Sequence, residues 1–97
     1  MSKDTIYNIK QFFEDKPVIK AYLFGSFARN EQVDNSDIDI LVDLDYSKKV
    51  EMEFIRMKLD LEKLLNKKVD LVSSGGLSKY IKPYIDKDKV LIYDRED

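Results

Sequence analysis

Apolar residues recur at two different spacings along the chain, and the switches between them mark its elements. In DTIYNIKQFFEDK, Ile6, Ile9, Phe12 and Phe13 fall at helical spacing, with Asp4 placed to cap the helix and Pro17 to close it. VIKAYLF, residues 18–24, alternates as a strand does, although Val18, Ala21 and Tyr22 leave its facing open. Gly25-Ser26 ends that strand. SFARNE can make a helical turn from Ser26, and VDNSD reads as loop. DIDILVDL, residues 37–44, is the second strand: period two puts Asp37, Asp39 and Leu41 on one face, and Ile38, Ile40 and Val42 on the other. KKVEMEFIRMKLDLEKLLNKK is the clearest helix, with a stripe of Val50, Phe54, Met57, Leu61 and Leu64 widened by Ile55, Leu59 and Leu65. KVDLVS is a third strand. LSKYIKPYIDKD is helical in pattern but interrupted by Pro83, which predicts two short turns, and KVLIYD is the last strand. This order predicts a single mixed sheet of about four strands flanked by helices, of α/β or α+β class, in one domain spanning residues 1–97.

Composition narrows the chemistry. The 97 residues suffice for one core, and the 43% hydrophobic content is too high for a disordered chain. Cysteine and histidine are both absent, which excludes disulfides, thiolate and histidine catalysis and the usual zinc ligation. Any metal must then be a hard cation held by oxygen. The net charge of -2 gives no basic face, so direct binding to nucleic acid is not expected. No segment reaches membrane-spanning length or resembles a leader, and the expectation is a cytoplasmic protein without membrane contact.

Against that background the acidic residues of LFGSFARNEQVDNSDIDILVDLD stand out. Asp37 and Asp39 share one face of a strand, where two carboxylates ionise together cheaply only around a cation. Mg²⁺ suits such a pair, because it keeps waters and adds substrate phosphates as ligands. A third carboxylate from a neighbouring strand would complete a two-metal site, and Asp70 in KVDLV is the candidate. Gly25 lets backbone approach a ligand closely, and Ser26 opens a helical turn whose N–H groups are free for phosphate oxygens. A phosphate cradle beside an acidic cage suits phosphoryl or nucleotidyl transfer from a nucleoside triphosphate. Each part also has an ordinary use: Gly-Ser as a turn, Asp-x-Asp as a solvated strand start, Asp70 as a partner for Lys67 or Lys68. No EF-hand loop fits, and no Walker A loop occurs. The combination gives the signal.

Gly25-Ser26, ten intervening residues, Asp37-x-Asp39 in an apolar strand and Asp70 in a later VDLV resemble the DNA polymerase β-type nucleotidyltransferase superfamily. GSFAR, SDIDILVDL, KKVDLV and LSKYIKPYI resemble its minimal nucleotidyltransferases, the antitoxins of HEPN/MNT toxin–antitoxin pairs. The resemblance implies that Gly25 and Ser26 hold phosphates, with Arg29 and Ser36 as further phosphate-binding candidates. It implies that Asp37 and Asp39 ligate two Mg²⁺ ions, and that Asp70 ligates the catalytic one and helps deprotonate the acceptor. It implies ATP as substrate and AMP transfer to a tyrosine of a HEPN ribonuclease toxin. Arg29 is followed by Asn30 where many relatives have glycine; asparagine tolerates left-handed backbone, so the turn survives.

A minimal domain has few residues for base and ribose. Tyr80, Lys82 and Tyr84 are candidates, unless the two tyrosines simply pack on the sheet. Two other functions remain open on the sequence: an antitoxin that neutralises by binding alone, and nucleotidyl transfer to a small molecule. An apolar edge of the long helix is a candidate docking surface for the partner.

Overall fold

A computed structural model describes residues 1–96. Helix α1, Lys3–Phe13, leads into strand β1, Val18–Phe24, then the short helix α2, Gly25–Ala28, and β2, Ile38–Leu44. Helix α3, Glu51–Leu65, is followed by β3, Val69–Ser73, a 3-10 turn at Ser74–Gly76, α4, Lys82–Asp88, and β4, Val90–Asp94. The strands form one sheet in the order β3-β2-β1-β4. β1 runs antiparallel to β2 and β4, whereas β2 and β3 are parallel and joined by the α3 crossover. The mixed α+β architecture expected from the hydrophobic pattern is therefore present.

Only one face of the sheet is fully covered. Ile9 and Phe13 of α1 and Val50, Met57 and Leu61 of the α3 segment join Ala21, Leu23, Ile38, Ile40, Val42, Val69 and Leu71 in a single buried cluster. The ambiguous facing of β1 has a physical cause. The register with β2 shifts between Val18 and Lys20, so a β-bulge lets Val18 and Ala21, three apart, both point into the core. A second shift opposite β4 allows consecutive Ile92 and Tyr93 both to be buried. The other face carries Asp39, Leu41 and Asp43, while Phe27 and Ala28 of α2 pack against the core side at the end of β1.

Several local expectations change. Ser2, not Asp4, caps α1: its Oγ accepts from the Thr5 N–H at 3.1 Å, and Asp4 instead lies in the first turn, where its charge suits the helix dipole. Helix α2 begins at Gly25 rather than Ser26, and β2 begins at Ile38, leaving Asp37 just ahead of it. Pro83 does not interrupt a helix; it sits in the first turn of α4, where a missing N–H costs nothing. In α3, Ile55, Leu59 and Leu64 face solvent, because the sheet accommodates only the narrower stripe through Val50, Met57 and Leu61. Asn30 does adopt left-handed backbone, at φ 61°. Asn30→Ala should therefore cost about 1 kcal/mol in chemical denaturation, while Asn30→Gly should be close to neutral.

Candidate active site

Strand pairing brings the distant acidic residues together. Asp39 lies opposite Phe24 on one side and opposite Asp70 on the other, so the end of β1, the start of β2 and the start of β3 form one line across the sheet. In parallel strands, residues in register project to the same side. Asp70 is exposed, Asp37 is exposed, and Asp39 is half-buried between them. Burial pushes the Asp39 carboxyl above the usual carboxylate range; the charges of Asp70 and Asp37 push the same way, and Arg29 opposes them. Asp70 forms no ion pair with Lys67 or Lys68 among the described residues, which leaves that alternative without support.

Gly25 directly follows β1 with φ 73°, a conformation that favours glycine. A side chain there would collide with the Asp39 carboxylate, whose Cγ lies 3.1 Å from the position of an added Cβ. The backbone of the cradle is thus pressed against the central carboxylate. Helix α2 has only four residues and no side-chain cap. The amides of a helix N-cap and of its first three residues lack intrahelical acceptors, so those of Gly25, Ser26 and Phe27 have none. The Arg29 amide closes the turn on the Gly25 carbonyl at 3.1 Å.

Arg29 and Ser36 are placed differently. The Arg29 guanidinium donates to Asp88 of α4 at 2.7 Å and to Glu31 at 3.3 Å, which fixes it beside the cradle. Ser36 accepts from the Val33 N–H at 2.9 Å through its Oγ, so its side chain closes the loop before β2. Tyr80 and Tyr84 are 74% and 76% exposed; they do not pack on the sheet. Lys82 is engaged by Asp86 at 2.7 Å.

Two residues shape the site in ways the sequence did not signal: Asp88, and Lys67, which the sequence offered only as a partner for Asp70. Lys67, at the turn between α3 and β3, donates to the Asp34 carbonyl at 2.9 Å and stands over the Phe27 ring, 6.0 Å from its centre. It ties the loop ahead of Asp37 to α2. Asp88 does the same for Arg29 from the opposite side. Their partners lie 33 and 59 residues away, and no local pattern signals such pairings. Lys67→Ala should leave the fold intact and speed amide hydrogen exchange at residues 34–36 by about tenfold, read by mass spectrometry.

The site is an open ledge. A concave hollow of about 660 Å³ lies elsewhere, lined by Lys16, Pro17, Lys48, Lys49 and Arg95 among others. Among the described residues no three acidic side chains stand close enough to form a complete cation cage alone. No helix among them is long and apolar enough to cross a membrane.

Comparisons with known proteins agree with this layout. A Methanocaldococcus jannaschii protein, provisionally named as a protein adenylyltransferase, is 39% identical over 92 residues, covering 93% of each chain. Among solved structures, a toxin–antitoxin complex with AMP-PNP superposes with a TM-score of 0.75 at 22% identity, over 97% of this chain and 74% of the other. A chain of the complex of tri-AMPylated Shewanella oneidensis HEPN toxin with MNT antitoxin gives a TM-score of 0.75 at 20% identity, over 99% of this chain and 75% of the other. These two establish likeness of fold. The family model for polymerase beta nucleotidyltransferases matches residues 7–97, and together with the archaeal relative it shows that the chain belongs to the polymerase beta nucleotidyltransferase family.

Proposed function

We propose that the chain is a Mg²⁺-dependent adenylyltransferase that moves AMP from ATP onto a tyrosine hydroxyl of a HEPN ribonuclease toxin, and so acts as its antitoxin. The observation that carries this reading is the alignment of Gly25, Asp39 and Asp70 across one sheet end. The adenylyl donor and the toxin acceptor come from the named relatives. A cytoplasmic location fits the absence of a spanning helix among the described residues.

The residues present fit the metal. Their donors are all carboxylate oxygens, and Asp39 is half-buried against two like charges that raise its proton affinity. Magnesium typically takes one or two carboxylates and completes its shell with water and phosphate oxygens, so an incomplete protein cage is what it requires. Asp37, Asp39 and Asp70 would hold two ions. When bound, they supply charge neutralisation at the phosphates and a lowered pKa at the acceptor hydroxyl.

The protein's own contribution is placement. The unpaired amides of α2 receive phosphate oxygens, and the absence of a Cβ at Gly25 lets them sit beside Asp39. Asp70 stands at the exposed edge of the ledge, where an incoming hydroxyl can reach it and pass its proton. The open ledge suits a macromolecular acceptor, because a protein partner can supply the missing wall and exclude water. The α-phosphorus–oxygen bond to pyrophosphate breaks as the bond to the tyrosine oxygen forms, and pyrophosphate leaves.

A growth assay tests this reading. Co-expressed with the cognate HEPN ribonuclease, the wild-type chain should restore growth, and the Asp37→Asn/Asp39→Asn double variant should not. Full protection by a double variant that binds the toxin normally would instead mark a stoichiometric inhibitor.

A further inference from the structure

Arg29 is 43% exposed yet engaged by two carboxylates. Its backbone closes the Gly25 turn, and its side chain leaves that turn toward α4 rather than toward bulk solvent. Among the described residues two of the five guanidinium N–H groups are used, one by Asp88 and one by Glu31, which leaves three for another acceptor. A pinned cation with free donors beside a phosphate cradle is preorganised for an anion, since its rotamer freedom is already lost before binding.

We propose that Asp88 is a positioning residue: it holds the Arg29 guanidinium beside the cradle so that its free N–H groups meet the nucleotide phosphates. The inference rests on the nucleotide-site reading above and adds a role for α4. The geometry suits it. Asp88 is the last residue of α4, only 24% exposed, with its Oδ2 2.7 Å from Arg29 Nη1. Ile85, one turn earlier, is buried yet lies outside the main core cluster, so α4 is seated by a contact of its own. α4 also packs against α2. Asp88 therefore has a fixed base from which to aim a flexible side chain. Glu31 is more exposed and 3.3 Å from Arg29 Nε, and is the weaker tether.

Asp88 also places a negative charge near the phosphates. Charge alone would make its removal tighten nucleotide binding, whereas positioning makes its removal weaken it. The two effects have opposite signs, so one measurement separates them. The probe is AMP-PNP with Mg²⁺, bound to the full chain and followed by calorimetry, which needs no acceptor. Arg29→Ala should weaken binding about tenfold and Asp88→Ala about fivefold. Asp88→Asn, which keeps an acceptor oxygen, should lie between Asp88→Ala and wild type. The Arg29→Ala/Asp88→Ala double variant should bind like Arg29→Ala alone, because Asp88 acts only through Arg29. Melting temperatures should shift by no more than about 4 °C, as for a partly exposed ion pair. Equal or tighter binding by Asp88→Ala, or additive losses in the double variant, would overturn the positioning role. Asp39→Asn is the control: if it fails to weaken binding, the nucleotide is not on this ledge, and the site reading falls together with the role of Asp88.

Discussion

Asp39→Asn is expected to abolish transfer and stabilise the fold at the same time. Asp39 is the central carboxylate of the ledge, between Phe24 and Asp70 in the pairing of the sheet. Without a cation its charge is disfavoured by burial and by Asp70 and Asp37. The amide keeps the shape and removes the repulsion, so the melting temperature without metal should rise by roughly 2–4 °C. On the proposed reading it also removes a ligand and a negative charge from the metal site, and transfer should fall by about a thousandfold or more. A residue kept for packing would show the reverse sign on stability. A drop in melting temperature, or activity within tenfold of wild type, would remove Asp39 from its assigned place. The two quantities come from thermal scans in chelator and from single-turnover transfer.

Gly25→Ala should have the other large effect, by a different route. The left-handed backbone at φ 73° costs an alanine about 1–2 kcal/mol. The added methyl also has nowhere to go, because the Asp39 carboxylate fills the space. Either Asp39 swings away from its place beside the turn or the turn moves, and both separate the α2 amides from the carboxylate. Transfer should fall at least about a hundredfold, well beyond what the stability loss explains. In urea the midpoint should move down with an unchanged slope, marking strain rather than a changed denatured state. Full activity in Gly25→Ala would mean that backbone and carboxylate need not touch.

The acidic ledge was legible because its signal is local chemistry set in a simple period. Asp39 in β2 and Asp70 in β3 need only the pleat to share a face, and the parallel register supplies the rest; Asp37 falls just ahead of the strand. Asn30 was legible for a similar reason, since one residue's backbone preference decides it. What failed was whatever depends on a competing neighbour. Asp4 and Ser2 are both good caps, and the choice turned on where the first turn starts. Pro83 looked like a break because apolar positions lie on both sides of it, although a helix accepts proline in its first turn. Leu59 and Ile55 carry helical periodicity, but the sheet is too narrow to cover them. Bulges hid the facing of β1, since an inserted residue resets the alternation. Lys67 and Asp88 act across the fold, through contacts that only the tertiary structure creates. Their value is in aiming groups that the motif already names.

The central claim is that this ledge transfers the α-phosphoryl group of ATP, with its adenosine, to a protein. The most direct measurement incubates the chain with Mg²⁺, the cognate HEPN ribonuclease and ATP labelled at either the α- or the γ-phosphate. The account predicts label on the HEPN protein from the α position only, lost in Asp39→Asn and on adding chelator. Label from the γ position, or α-label that survives Asp39→Asn, would contradict it.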